Sequence, residues 1–284
     1  MLEAVDHLSD RDFRRLSEFI HGYSGIKVPE SKKSMVEGRL RRRRRLLGLG
    51  TLDAYCRYLF DQDGLESETV GLIDSVTTNK TDFFREADHF DYLTEVAIPD
   101  LLAEREISRS EPLRIWSAAC SIGAEPYTLA MVVDDLARTR TDLRFSILAT
   151  DICTEALESA RTAIYPAQMI EPVPMELRRR YVMRAKTAPL DRVRITPEVR
   201  SMVSFGRVNL MEAPYRIDRD MHVIFCRNIL IYFDKPTQKK VLEQLCAHLR
   251  PGGYLFVGHS ETLAGLGLPL RPVATTVFRK WNDA

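Results

Sequence analysis

Residues 115–131 read IWSAACSIGAEPYTLAM: an apolar run, a turn of small residues, then a run with helical character. Strand, tight turn and helix in that order form the repeating unit of a parallel sheet. Small residues let the main chain approach a ligand closely, and a helix N-terminus offers free N–H groups. The turn has one glycine, Gly123, and lacks the GxGxxG spacing that cradles a pyrophosphate. On its own it is equally an ordinary α/β turn.

Working outward, PLRIWSAA, RFSILATD, MHVIFCRN and GYLFVGHS are short β-rich runs. EPYTLAMVVDDLAR, CTEALESARTA and KPTQKKVLEQLCAHL separate them with helical spacing. This alternation predicts a parallel sheet covered on both faces. VATTVFRKW predicts a last strand, antiparallel at the edge. RVRITPEVRSMVSFGRV interrupts the alternation and predicts short strands of a small added subdomain at about 165–207. Before Asp88 the pattern is helical throughout. Ser9 caps a helix with Phe13, Leu16, Phe19 and Ile20 on one face, ended by Gly22 and Gly25. A second helix stops at Gly48 and Gly50. TLDAYCRYLF and ESETVGLIDSVTT predict two more. The expected division is a helical domain, 1–88, and an α/β domain, 89–284.

Charges nearly cancel, 41 basic against 40 acidic residues in 284. Five scattered cysteines without a CxxC pair predict reduced thiols and the cytoplasm. No apolar run reaches the ~18 residues of a membrane span. The charged N-terminus is not expected to act as a signal peptide. Six histidines show no metal-ligand spacing.

RFSILATD ends in Asp151. An acid at the carboxyl end of the second strand can accept both hydroxyls of a ribose. It can also cap the next helix. Gly123, Glu125 and Asp151 together point to an adenosine-containing cofactor, either NAD or S-adenosylmethionine. The missing pyrophosphate fingerprint leans to the latter, whose sulfonium carries no phosphates.

Six stretches then fall in order: TTNKTDFFREADHF (77–90), WSAACSIGAEPYTLA (116–130), ATDICTEALESAR (149–161), GRVNLME (206–212), IFCRNILIYFDKPTQ (224–238) and LRPGGYLFVGHSE (249–261). With these the chain resembles the CheR-type chemotaxis protein-glutamate O-methyltransferases from about Phe13 to its end. The resemblance implies a small all-α domain followed by a Rossmann-like S-adenosylmethionine-dependent methyltransferase domain with a β-subdomain insertion. It implies methyl transfer from S-adenosylmethionine, leaving S-adenosylhomocysteine, to glutamates on the cytoplasmic helical bundle of methyl-accepting chemoreceptors. It implies cofactor contacts by Asn79, Thr81 and Arg85. It places Glu125 and Asp151 on the methionine and ribose portions, Asn209 and Leu210 near the adenine, and Arg227 and Asn228 beside the cofactor. Tyr232 matches a tyrosine near the transferred methyl. The family pattern commonly has an acid where Ala124 and Cys153 stand. Some members use a glycine-containing subdomain loop to hold a receptor C-terminal peptide; the corresponding MRAKTAPLDRVRI (183–195) has none.

A glutamate carboxylate is ionised at neutral pH and needs no base. Its attack on a sulfonium methyl merges opposite charges, so alignment and exclusion of water matter more than acid or base. Arg85 and Tyr232 therefore read as positioning groups at the reacting centre. His259 in GHSE reads as a hydrogen-bonded structural histidine, and Cys120 and Cys226 as buried filler.

GRLRRRRRLLGLG (38–50) holds six arginines in seven residues. On a helix Val36, Leu40 and Leu47 share one face, with Arg43 beside it. Arginine pairs carboxylates well, and the substrate implied by the resemblance is glutamate-rich. Arg39, Arg41, Arg42 and Arg45 are accordingly expected to dock it. Two rivals remain: a nucleic-acid methyltransferase using the arginines as a phosphate clamp, and a non-catalytic S-adenosylmethionine-binding scaffold. A monomer that binds no nucleic acid and inserts in no membrane is expected.

Overall fold

The computed structural model describes residues 6–185 and 191–281. Four helices come first: α1 (Asp10–Ser24), α2 (Lys33–Leu46), α3 (Leu52–Asp61) and α4 (Leu65–Val76). The Ser9 hydroxyl accepts from the Asp12 N–H at 3.0 Å, satisfying one of the free donors at the start of α1. Gly22 does not end this helix; it lies inside. The stop is Gly25, left-handed at φ 74°, and a Cβ there would meet Met211 and Phe233. Phe13, Leu16, Ile20, Val36, Leu40, Tyr55, Leu72 and Ile73 form one buried core. Leu47, expected on that face, is exposed, because α2 ends at Leu46 and the chain turns away. The helical core takes in nothing beyond Val76 except a partly buried Ile152, and Phe83 and Phe90 pack into the α/β core instead. The packing seam therefore falls near 77 rather than at 88.

The second part opens with α5 (Asp88–Tyr92), which runs through one wide turn into α6 (Ile98–Ala103). The rest alternates as expected: β1 (Leu113–Ala118), α7 (Ala124–Ala137), β2 (Phe145–Asp151), α8 (Thr154–Thr162), β3 (Ile164–Pro166), α9 (Met175–Tyr181), β4 (Val182–Arg184), β5 (Arg192–Ile195), α10 (Pro197–Ser201), β6 (Val203–Arg207), β7 (Met221–Cys226), α11 (Lys235–His248), β8 (Leu249–Phe256), β9 (Leu270–Ala274) and β10 (Val277–Lys280). The main sheet runs β6-β2-β1-β7-β8-β10-β9. Its first five strands are parallel, and the last two form an antiparallel hairpin. VATTVFRKW thus spans the hairpin turn and β10, with β9 as the edge. A second sheet, β3-β5-β4, is antiparallel. β6, expected in the insertion, belongs to the main sheet, so the added sheet ends with Ile195.

Alternation along the central strands divides the core. Ile115, Val223, Phe225, Tyr254 and Phe256 face one side with Phe90, Leu93 and Leu101. Trp116, Ile224 and Leu255 face the other with Val241, Leu242 and Leu245 of α11. Both faces are dry, which is why these strands read as near-continuous apolar runs. The chain leaves β1 toward β2 on one side and later returns to pair β7 on the other. The carboxyl ends of β1, β2 and β7 therefore meet at a switch point, where a crevice opens.

Candidate functional site

A cavity occupies that crevice. Its floor is the turn after β1 (Ala119, Cys120, Ser121) with Asp151 at the end of β2. The segments after β6 and β7, residues 77–82 with Arg85, and Ser24 to Val28 at the end of α1 close it. Asn79, Thr81, Arg85, Glu125, Asp151, Asn209, Leu210, Arg227, Asn228 and Tyr232 all line it.

Asp151 accepts from the Ser121 N–H at 2.7 Å and the Cys153 N–H at 2.9 Å, one on each oxygen. Each oxygen keeps a lone pair for a ligand hydroxyl. Burial raises its carboxyl above the ordinary value, opposed by the N–H groups of Cys153, Ser121 and Ile152. Glu125 accepts from the Ser117 hydroxyl at 2.7 Å and from Arg227 at 3.1 Å. Burial raises it too, against the Arg227 charge. Arg227 also donates to Glu86 at 2.9 Å and to the Arg85 carbonyl, and Asn228 donates to the other Glu86 oxygen at 3.0 Å. Burial disfavours the Glu86 anion, but Asn228 and Arg227 outweigh it and hold the carboxyl down at about 2.

Phe84, Glu86, Ala119, Ser121 and Asn228 all take left-handed φ between 52° and 62°. Each costs on the order of 1 kcal/mol for a residue with a Cβ. That strain, gathered around one cavity, turns Arg85 and the β1 turn toward it. The Arg85 guanidinium meets no carboxylate among the described residues, and neither does Lys32, whose Nζ stands 5.5 Å over the Tyr232 ring.

The sequence model of the CheR methyltransferase SAM-binding domain matches residues 79–278. That of the CheR all-alpha domain matches 11–77. The chain belongs to the CheR methyltransferase family. It is 40% identical over 272 residues to chemotaxis protein methyltransferase 2 of Pseudomonas aeruginosa, covering 96% of this chain and 94% of that one. It is 39% identical over 276 residues to the chemotaxis protein methyltransferase of Escherichia coli, covering 97% and 93%. It is therefore an S-adenosylmethionine-dependent chemotaxis protein methyltransferase.

The cavity suits that cofactor. Two carboxylates, Glu125 and Asp151, face it, and Arg85, with no carboxylate partner among the described residues, offers a cation to an anionic group. Several of these side chains also have protein partners that the sequence does not announce. The Asn209 side chain is spent on protein: Nδ2 donates to the Tyr23 carbonyl at 2.7 Å and to Glu212 at 3.0 Å, and Oδ1 accepts from the Met211 N–H. It ties α1 to the α/β part and leaves only its main chain for a ligand. Gly123 is not at the cavity; at φ 91° a Cβ there would strike Ala160 and approach Tyr165. Cys153 receives the Asn79 amide at 3.2 Å. All five cysteines are buried and free.

The arginine run is largely absorbed. Arg39 donates to the carbonyls of Val76 and Thr77, and Arg41 to the Asp6 carbonyl. Arg43 forms a two-pronged pair with Glu68 at 2.6 and 2.7 Å, and Arg44 pairs with Asp6 at 3.0 Å. Of the four expected docking residues, Arg42 and Arg45 remain exposed; Arg39 and Arg41 hold the fold. His259 bonds Asp88 at 3.1 Å and stacks edge-on to His89, away from the cavity. Glu86, His89 and His259 gather within 4.8 Å, with Glu86 already held by Arg227 and Asn228. The loop 183–195, singled out for its lack of glycine, lies partly outside the described residues.

Sequence reasoning missed Glu86, Glu261 and Lys32. The first two stand inside motifs already quoted, TNKTDFFRE and GHSE. Lys32 has no signal beyond its charge.

Proposed function

We propose that this chain, acting in the cytoplasm as a monomer, transfers the methyl of S-adenosylmethionine to glutamate side chains of chemoreceptors, forming methyl esters. The observation that carries this is convergence: ten residues from five separate segments line one cavity, with Arg85 and Tyr232 among them. S-adenosylmethionine supplies an electrophilic methyl on a cationic sulfur. Asp151 accepts the ribose hydroxyls on its remaining lone pairs, and Glu125 faces the methionine portion. Asn79 and Thr81 close over the cofactor. Asn209 and Leu210 offer main chain to the adenine, and Arg227 and Asn228 wall the site. Arg85 holds the cofactor carboxylate and reaches toward the substrate. The Tyr232 hydroxyl, without a partner among the described residues, donates to one oxygen of the incoming carboxylate and aims the other. A tight ion pair on the attacking oxygen would stabilise the ground state more than the transition state, so the cations serve best at the rim. There Lys32 and Lys80 join Arg42 and Arg45 in meeting an acidic helix bundle.

The absorbed arginines count against a phosphate clamp. The test is methyl-labelled cofactor with a purified cytoplasmic fragment of a chemoreceptor. Label released as methanol in alkali is expected. Alkali-stable label, label on nucleic acid or no transfer would overturn the reading. No helix among the described residues is long and apolar enough to cross a membrane, which accords with action on receptor segments outside the bilayer.

A further inference from the structure

We infer that Glu261 is a positioning residue for methyl transfer, its carboxylate setting the main chain of the Arg227–Tyr232 turn and thereby aiming Asn228 and Tyr232 into the cavity. This rests on the function proposed above. Glu261 is only 7% exposed. One oxygen accepts from the Asn228 N–H at 3.0 Å and the Gly258 N–H at 2.6 Å; the other accepts from the Leu230 N–H at 2.7 Å. These N–H groups lie just past the ends of β7 and β8, where the ladder no longer pairs them. Buried main-chain donors left unpaired are costly. One carboxylate satisfies three and fixes the two strand ends against each other. The Leu230 bond anchors the short turn Leu230–Tyr232. The Asn228 bond holds a residue at left-handed φ 57°, whose amide then reaches Glu86.

Gly258 completes the socket. A Cβ there would lie 2.4 Å from the Asn228 amide nitrogen and 2.9 Å from its main-chain nitrogen, so any side chain pushes the same turn from the other side. Each of these Glu261 bonds goes to protein main chain, which separates this role from a catalytic one. Within GHSE, the glutamate rather than the histidine bears on the reaction.

The test compares wild type, Glu261→Gln and Gly258→Ala by methyl transfer to a chemoreceptor cytoplasmic fragment, with melting temperature measured alongside. In Glu261→Gln the amide oxygen can serve only one side of the socket, so the NH2 faces at least one main-chain N–H donor. The expected result is a kcat lower by roughly tenfold, the worth of about one hydrogen bond in the barrier. The KM for the fragment should stay within about twofold, and Gly258→Ala should show the same split. Folded Glu261→Gln or Gly258→Ala with kcat near wild type would overturn the inference. Failure of both to fold would make Glu261 a residue of the fold and overturn it too. No transfer by wild type would instead sink the proposed function.

Discussion

Helix α2 and the segment after α4 touch where Arg39 donates to the Thr77 carbonyl at 2.8 Å, yet they hold their arginines in opposite ways. Helix α2 commits five of its six to partners inside the molecule, Arg45 only to the Arg41 carbonyl of its own helix. The segment from Thr77 to Ala87 bends through two strained residues and leaves Arg85 at a cavity without a carboxylate partner among the described residues. Charge density is therefore a poor guide to available charge. A guanidinium spent on a buried carboxylate is not free to hold another anion; one held without an anion is open to a ligand.

The comparison breaks or sharpens at five points. Arg85→Ala should weaken S-adenosylhomocysteine binding or lower kcat/KM by roughly 100-fold, about two charge-assisted hydrogen bonds, without lowering the melting temperature. Calorimetry and methyl transfer read this, and an unstable variant with normal affinity would make Arg85 structural. Arg43→Ala should do the reverse. It leaves Glu68, whose side chain is 3% exposed, with the Tyr55 hydroxyl as its remaining side-chain donor among the described residues, and should cost about 2 kcal/mol of stability in urea unfolding, with cofactor affinity unmoved. Tyr232→Phe should lower kcat about tenfold, the worth of ~1–2 kcal/mol; an unchanged rate removes its hydroxyl from the mechanism.

The fourth point concerns acid. Glu86 is depressed in the folded chain, from 4.5 to about 2. Its contribution to stability is therefore complete above the ordinary glutamate range and lost as pH falls toward about 2. Glu86→Gln should be less stable than wild type at neutral pH, and the two should converge in acid; a constant gap across the titration would contradict this. The smallest effect is expected from Arg42→Glu with Arg45→Glu. Receptor KM should rise a few-fold at low salt, and the difference should fade as salt screens it. A salt-independent defect would point to folding instead.

Local pattern made most of the fold legible. Strand runs alternating with helices announced the parallel sheet, since burial on both faces leaves an unmistakable apolar texture. What stayed hidden depended on distant partners. Nothing local says that β6 returns to the main sheet, because the strand that pairs it lies about fifty residues earlier. Gly123 reads as a ligand residue in the sequence, but the close approach of Ala160 and Tyr165 accounts for it. The cavity residues were legible because motifs carry them, but roles were less so. Asn209 is expected near the adenine and lines the cavity, yet its amide is consumed by Tyr23 and Glu212. Glu261 lies three residues from a more conspicuous glycine and two from a histidine, and its purpose appears only when three N–H groups converge on it.

The wall from Ser24 to Val28 belongs to the helical part, held there by Asn209 on the Tyr23 carbonyl and by the Lys27 N–H on the Tyr232 carbonyl at 3.1 Å. The cavity is thus shared between the helical part and the α/β part. Grafting the α/β portion alone onto another protein would carry over the floor of the site and leave it roofless. Under the proposed function, changes in the first quarter of the chain should therefore retune cofactor hold.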